Sequence, residues 1–228
     1  MTPEKNKIGS LPAVRRLPTY LHLLRSFSES GREMVSSTHI AEKLKIEPIQ
    51  VRKDLAITGI EGKPKVGYYI PALIDAIETF LGWNNTTDAF LVGVGNLGSA
   101  LLGYEGFRKH GLKIVAAFDA DDSRVGQVIG DVEVLPIHKL SDLAMRMHVP
   151  MGVIAVPAES AQSVADAMVL GGIQAIWNFA PRSLDVPDGV VVQNEDLASG
   201  LAVLSVKLAR TREIRETAGT MLPAGNGG

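Results

Sequence analysis

Apolar positions in the first part of the chain recur every three or four residues. Leu17, Tyr20, Leu21, Leu24 and Phe27 predict a helix from about residue 17, with Pro18 admitted only by its first turn. Ser37 then caps a helix over 38–44, whose apolar face is Ile40, Ala41 and Leu44, and Pro48 opens a third helix, from 47 or 48 to about 57. On that third helix Val51 and Leu55 lie four apart and face inward, leaving Ile49, Gln50, Arg52 and Lys53 outward or flanking. Gly59, Gly62, Pro64 and Gly67 punctuate the next segment, which carries Lys63 and Lys65 and runs into 66–70 as a small β-hairpin would. Pro71 opens a helix with Leu73, Ile74, Ile77, Phe80 and Leu81 on one side, and Gly82 ends it. Residues 1–10 read as a disordered arm and 84–88 as a linker.

Beyond the linker the pattern becomes that of an α/β fold. Residues 89–94 are a short apolar strand, Gly93, Gly95 and Gly98 make a GxGxxG turn, and a helical stretch follows over 97–110. A second apolar strand, 113–119, closes on Asp119. Strands over 131–135, 151–156, 173–178 and 190–193 then alternate with helices over 141–147 and 159–170, the latter stopped by Gly171 and Gly172. The last helix runs from 195 to about 216 with Leu197, Leu201, Leu204 and Leu208 along one face, and 221–228 read as a disordered tail. Six strands alternating with helices predict a Rossmann-like, doubly wound parallel sheet.

The glycine turn has a chemistry that needs each of its parts. Gly93 makes the tight turn, Gly95 lets backbone approach a pyrophosphate, and Gly98 allows close packing of helix on strand. The helix N-terminus at Asn96 and Leu97 offers N–H groups to phosphates, and Asp119 can accept from a ribose hydroxyl. Bare glycines are a weak signal. Strand, turn, helix, second strand and acid all standing in place point to dinucleotide binding. Asp119 is followed by Ala120, Asp121 and Asp122, with no adjacent arginine to receive a 2'-phosphate, which favours NAD(H) over NADP(H); Arg124 is the qualifying cation. In an open α/β sheet the ligand lies at the strand carboxyl ends, so Val156, Pro157 and Ala158 together with Asn178, Phe179 and Ala180 line the nicotinamide end.

Composition narrows the class. The chain has 228 residues, 46% of them hydrophobic, and no apolar run approaches the roughly 18 residues of a membrane span. With no cysteine there is neither a disulfide framework nor a thiolate site, and a cytoplasmic location is the default. The net charge of −2 conceals an asymmetry, because residues 1–70 carry 12 Lys and Arg against 7 Asp and Glu while the rest of the chain is acidic. A basic end meeting a polyanion and a chance scatter of surface charge are both compatible with that count alone.

Helix pair, hairpin and charge coincide in one segment, and together they read as a winged helix that binds DNA. Gln50 can pair with an adenine edge and Arg52 and Lys53 can hold phosphate or guanine, and Ser37, Lys63 and Lys65 complete the expected DNA-binding set. The helix after Pro71 either transmits domain orientation or is a passive spacer. Catalysis finds little support, since none of His22, His39, His110, His138 and His148 follows a strand where chemistry would be placed. Tyr104, on the helix past the glycine loop, lacks a lysine at the fourth following position and reads as a ligand or switch contact. No metal-ligand constellation is present in the sequence.

The motifs Val35-Ser36-Ser37, Gln50-Val51-Arg52-Lys53-Asp54-Leu55, Gly93-Val94-Gly95-Asn96-Leu97-Gly98, Ala116-Ala117-Phe118-Asp119, Val156-Pro157-Ala158, Asn178-Phe179-Ala180-Pro181 and Asn194-Glu195-Asp196-Leu197 resemble the Rex family, bacterial repressors that sense the NADH/NAD+ ratio. The resemblance spans about residues 11–217. It implies a homodimer with a swapped C-terminal helix, release of palindromic operator DNA on NADH binding, and a pocket completed by Leu197 of the partner subunit. It further implies a switch in which Tyr104 bonds Asp196 of the partner subunit, with Arg16 completing a charged cluster. The chain departs from the family pattern at the wing, where Pro64 stands in place of an arginine and Lys63 and Lys65 substitute in part. Tyr69 also stands where an acidic residue is common.

These readings divide the chain into a winged-helix domain (1–82), a Rossmann domain (83–194) and a swapped helix with its tail (195–228). The expected function is a redox-responsive repressor, not an enzyme, with no membrane partner. An NAD-dependent oxidoreductase with an N-terminal appendage and a Rossmann dimer that has lost operator binding are its rivals.

Overall fold

The computed structural model describes residues 10–220, the side chains of Leu197 and of 213–220 excepted, so nearly all of the arm and the whole tail named above lie outside the described residues. The chain divides into two compact units: residues up to Thr86 with Gly106–Leu112, and Thr87–Glu105 with Lys113 onward. The return of Gly106–Leu112 to the first unit is a feature that the sequence reading does not anticipate.

In the first unit, helix α1 spans Leu11–Glu29, six residues earlier than periodicity predicts, with Ser10 as its cap and Pro12 in the first turn. Pro18 therefore lies inside the helix. An interior proline costs about 3 kcal/mol, and the burial of Leu17, Tyr20, Leu21 and Leu24 at 0–1% exposure offsets it, at roughly 1.5–3 kcal/mol for each large apolar side chain. Strand β1, Met34–Val35, pairs antiparallel with β2, Tyr68–Tyr69. Helix α2, Ser37–Leu44, is capped by Ser36 rather than Ser37: Ser36 leaves the strand in an extended conformation and its hydroxyl accepts from His39 N–H at 3.1 Å. Either serine has the cap chemistry, but β1 ends at Val35 and so makes Ser36 the last extended residue.

Lys45, in the left-handed region, turns the chain into α3, Pro48–Ala56, where Val51 and Leu55 are fully buried in one cluster with Ile40. Helix α4, Ile70–Leu81, ends at left-handed Gly82. The expected hairpin comes down to one isolated bridge, because β2 pairs with β1 instead. Its tip is a turn closed by Lys63 and Gly67, and a side chain at Gly67 would meet the Val35 carbonyl at 2.3 Å.

The second unit opens with β3, Thr87–Val92, and α5, Asn96–Leu102. The predicted continuous helix 97–110 is broken. Gly103 ends α5, and α6, Gly106–Lys109, is a separate turn that packs with the first unit. Strand β4 covers Leu112–Asp119, and a short hairpin joins β5, Val128–Ile129, to β6, Val132–Pro136. Then come α7 (Leu140–Met147), β7 (Met151–Ile154), α8 (Ala158–Leu170), β8 (Ala175–Asn178), β9 (Val191–Asn194) and α9 (Leu197–Thr220).

The seven strands lie in the order β5-β6-β4-β3-β7-β8-β9. Pairings β4–β6, β3–β7, β7–β8 and β8–β9 are parallel, and the added edge strand β5 runs antiparallel to β6. This is the doubly wound order, with its reversal at β3. Two apolar clusters are built on the sheet, around Phe90, Phe118 and Ile154 and around Leu91, Ala117 and Val153. No described helix is long and apolar enough to cross a membrane.

Candidate functional site

The carboxyl ends of β3, β4 and β7 and the start of α8 surround a cavity of about 320 Å³. An open α/β sheet offers such a crevice where its strand order reverses. Of the residues singled out from sequence, Gly93, Gly95, Asp119, Val156 and Pro157 line it. Gly93 sits at φ 94°, and a side chain there would meet the Ala155 carbonyl at 2.6 Å. A methyl on Gly98 would lie 1.8 Å from the Gly93 carbonyl, which is why α5 can dock so closely on the turn. Gly95 differs, because a methyl there meets nothing within 4 Å. No side chain caps α5, whose first turn starts at Asn96 and Leu97. An open glycine before uncapped amides at a cavity wall fits a pyrophosphate.

Asp119 closes β4 half-buried. Its Oδ2 accepts from Val94 N–H at 2.7 Å and its Oδ1 from Asp121 N–H at 2.9 Å. The acid thus braces the glycine turn, and an ionised carboxylate offers about four lone-pair sites, so acceptor capacity remains for a ribose hydroxyl. Arg124 and Ser160 also line the cavity. Arg124 donates to the Val94 carbonyl and faces Asp121 Oδ2 at 3.5 Å. Hydrogen bonds from the Ser123 hydroxyl and N–H hold the Asp121 carboxyl below the ordinary carboxylate value. Ser160 was not signalled by any motif, since only the packing of α8 brings it to the β3 end.

The other predicted contacts stand elsewhere. Asn178 is buried, at 0% exposure, and fully used: its Nδ2 donates to Arg182 O at 2.7 Å and Asn194 Oδ1 at 2.8 Å, and its Oδ1 accepts from Ala180 N–H at 3.0 Å. It ties the ends of β8 and β9 together and is not among the cavity residues. Phe179 packs on Trp177 at 4.9 Å between ring centroids, Ala180 is buried in the core, and Ala158 begins α8. Tyr104 is not on a helix but in the break after Gly103, 56% exposed. Asp196 caps α9, its Oδ1 accepting from Ala198 N–H at 2.9 Å. The Leu197 side chain lies outside those described. None of the five histidines lines the cavity, and among the described residues no group of three or more potential ligands could hold a metal.

The first unit carries exposed cations on α3 and at the bridged turn. Arg52 and Lys53 on α3 and Lys63 and Lys65 at the hairpin tip are exposed, Ser37 is half-buried in the first turn of α2, and Ile49 and Val66 add exposed apolar surface. Lys65 holds φ 63° in the turn between the bridged residues Lys63 and Gly67. Gln50 takes the flanking place: it is half-buried, and its Nε2 donates to Asp54 Oδ1 at 2.7 Å. Asp54, which periodicity left unremarked, is 1% exposed and also accepts from Arg16 Nε (2.6 Å), Arg16 Nη2 (2.7 Å) and the Tyr20 hydroxyl (2.6 Å). Burial pushes the Asp54 carboxyl upward, but the hydrogen bonds from Arg16, Tyr20 and Gln50 outweigh it and hold the group below its ordinary value. Burial and the neighbouring carboxylate raise the Tyr20 hydroxyl, and the Asp54 bonds raise Arg16 further.

Comparison with known proteins agrees with both halves. A family model described as "Putative DNA-binding protein N-terminus" matches residues 10–56, and one described as "CoA binding domain" matches residues 84–182. The chain is 50% identical to the redox-sensing transcriptional repressor Rex of Treponema denticola over 204 residues, covering 90% of this chain and 97% of that protein. The structure of RSP in complex with β-NAD+ and operator DNA superposes with a TM-score of 0.84 at 32% identity, over 94% of this chain and 99% of that one. RSP in complex with β-NADH gives 0.82, also at 32% identity, over 92% and 99%.

Proposed function

The chain belongs to the Rex family of redox-sensing transcriptional repressors, and from that membership we propose that it binds operator DNA as a homodimer and leaves it when NADH binds. It is a regulator rather than an enzyme, and it works in the cytoplasm on operator DNA. The observation that carries this reading is the pairing in one chain of a basic helix-turn-helix unit with a cavity whose open Gly95 and braced Asp119 suit a dinucleotide. Gly95 leaves backbone free beside the pyrophosphate, Asp119 holds the glycine turn and accepts from a ribose hydroxyl, and Val156 and Pro157 shield the far end from water. The bound dinucleotide supplies the redox signal.

Helix α9 supports the homodimer. Leu201, Leu204 and Leu208 form one exposed stripe and Val203 and Val206 an opposed one, at 100° per residue. Apolar surface on two sides of a helix suits insertion between two surfaces better than packing on one. A swap into the partner subunit would bring Asp196 to the partner's Tyr104. With Arg16 at the base of the DNA unit, these residues form the proposed relay between redox state and DNA.

A mobility-shift assay with a palindromic operator tests the reading. The parent binds the palindrome well above random duplex and is released by NADH, by the 5- to 150-fold usual for allosteric coupling, roughly. Tyr104→Phe binds more weakly without NADH and keeps its NADH affinity. Equal binding to random duplex, or binding indifferent to NADH, overturns the proposal.

A further inference from the structure

We propose that Asp54 determines base specificity by fixing how Gln50 meets DNA, an inference that rests on the reading of α3 as the DNA-facing helix. The carboxylate is buried to 1% and receives four hydrogen bonds, two from Arg16, one from Tyr20 and one from Gln50. That number matches the lone-pair sites of a carboxylate, so the group is saturated. An ionised carboxylate only accepts. Gln50 must therefore turn its Nε2 toward Asp54, and the alternative amide orientation, with Oε1 against the carboxylate, is repelled. The oxygen and the second N–H are left, and this acceptor-donor pair matches the N6 amino group and N7 of adenine in the major groove.

The charge needed to hold this arrangement comes from outside α3. Arg16 and Tyr20 lie on α1, 38 and 34 positions away, and Arg16 grips both carboxylate oxygens. Without that grip a buried carboxylate beside the recognition helix would be uncompensated. Helix α1 thereby sets a side chain on α3, and the base preference at Gln50 depends on residues that touch no base.

The test is the full-length chain titrated with a palindromic operator and with the set of single base-pair substitutions in its half-site. Gln50→Ala flattens discrimination at one position per half-site, by about 5- to 100-fold. Asp54→Asn, whose carboxamide cannot accept from all four donors, flattens the same position, and the double variant loses no more than either single one. Affinity for random duplex stays put. A folded Asp54→Asn with the parent's preference overturns the proposal. Should that variant unfold, side-chain relaxation of Gln50 in the DNA-free parent decides: an amide as ordered as the backbone supports the proposal, and an order parameter below about 0.6 overturns it. A parent indifferent to palindrome and random duplex sinks the reading of the DNA face itself, and this inference with it.

Discussion

The carboxylate of Asp119 accepts from the backbone N–H of Val94 at 2.7 Å, so the acid that ends β4 also braces the glycine turn that ends β3. Asp119→Ala therefore removes the strut of the glycine turn and, on the proposed reading, a ribose contact with it. NADH affinity should fall about 10- to 100-fold, as expected for a charged hydrogen bond of about 1.5–3 kcal/mol. In the parent, Arg124 is engaged by the Val94 carbonyl and Asp121 rather than held out for a 2'-phosphate. Calorimetry should accordingly find NADPH weaker than NADH. Equal affinities would show that Asp119 does not select the dinucleotide.

Two glycines of the same turn should fail in different ways. Gly98→Ala puts a methyl 1.8 Å from the Gly93 carbonyl, so the turn must open, and both thermal stability and NADH binding should drop. Gly95→Ala meets open space in the protein. It should keep the melting temperature of the parent while losing NADH binding, because its methyl occupies ground the pyrophosphate needs. Scanning calorimetry with and without NADH separates the two.

Acid should weaken the DNA-binding unit through Asp54. Its carboxyl is held below the ordinary value in the fold, so its stabilisation is complete above the unfolded pKa of about 3.9 and is lost as pH falls through the lower folded value. Asp54→Asn should cost about 3 kcal/mol at neutral pH, the lower end for breaking a buried pair, since Arg16 keeps 35% exposure of its side chain. It should also flatten the acid limb. Denaturation followed from neutral pH down through and well below the unfolded value checks both, and an unchanged acid limb would assign the stability to other groups.

His110 offers a reporter on the segment that returns to the first unit. It follows α6 and packs at a tilt on Trp83, 4.2 Å between centroids, while a side chain at Gly111 would strike the Asn85 carbonyl at 2.4 Å. Burial first, and then the charge of Arg25, lower the imidazole below its ordinary value of 6.5, against opposing contributions from the Gly106 carbonyl and Glu78. Its packing thus stabilises the fold above pH 6.5 and loses that contribution as pH falls toward the lower folded value. An NMR titration should place the His110 midpoint below 6.5 and Trp83→Ala should raise it. A midpoint unmoved by that substitution would mean that the indole does not desolvate the ring.

Removal of α9 tests the dimer. A chain ending at Asn194 lacks the two apolar stripes of Leu201, Leu204 and Leu208 and of Val203 and Val206. It should sediment as a monomer and bind a palindrome with the affinity of a single half-site. A stable dimer of that length would place the interface elsewhere.

Much of this protein is written locally along the chain. The inward positions of α3, the stop of α4 at Gly82, and the strand, glycine turn, helix and acid of the dinucleotide pocket are legible because periodicity, turn chemistry and motif spacing involve neighbours only. Where two neighbours share the same chemistry, the fold chooses between them. Ser36 caps α2 because β1 pairs with β2 and leaves it extended, and α1 runs through Pro18 because buried leucines outweigh one missing hydrogen bond. The partners of polar side chains are decided only by packing. Gln50 reads as outward or flanking and Asp54 carries no periodic signal, until α1 brings Arg16 and Tyr20 across 38 and 34 positions to make their turn of α3 a buried ionic centre. Likewise Asn178 sits in a motif at a strand end, yet β9 arrives beside it and takes its amide through Asn194. A polar group cut off from water must find a partner wherever the chain brings one, and that partner's place in the sequence follows no period.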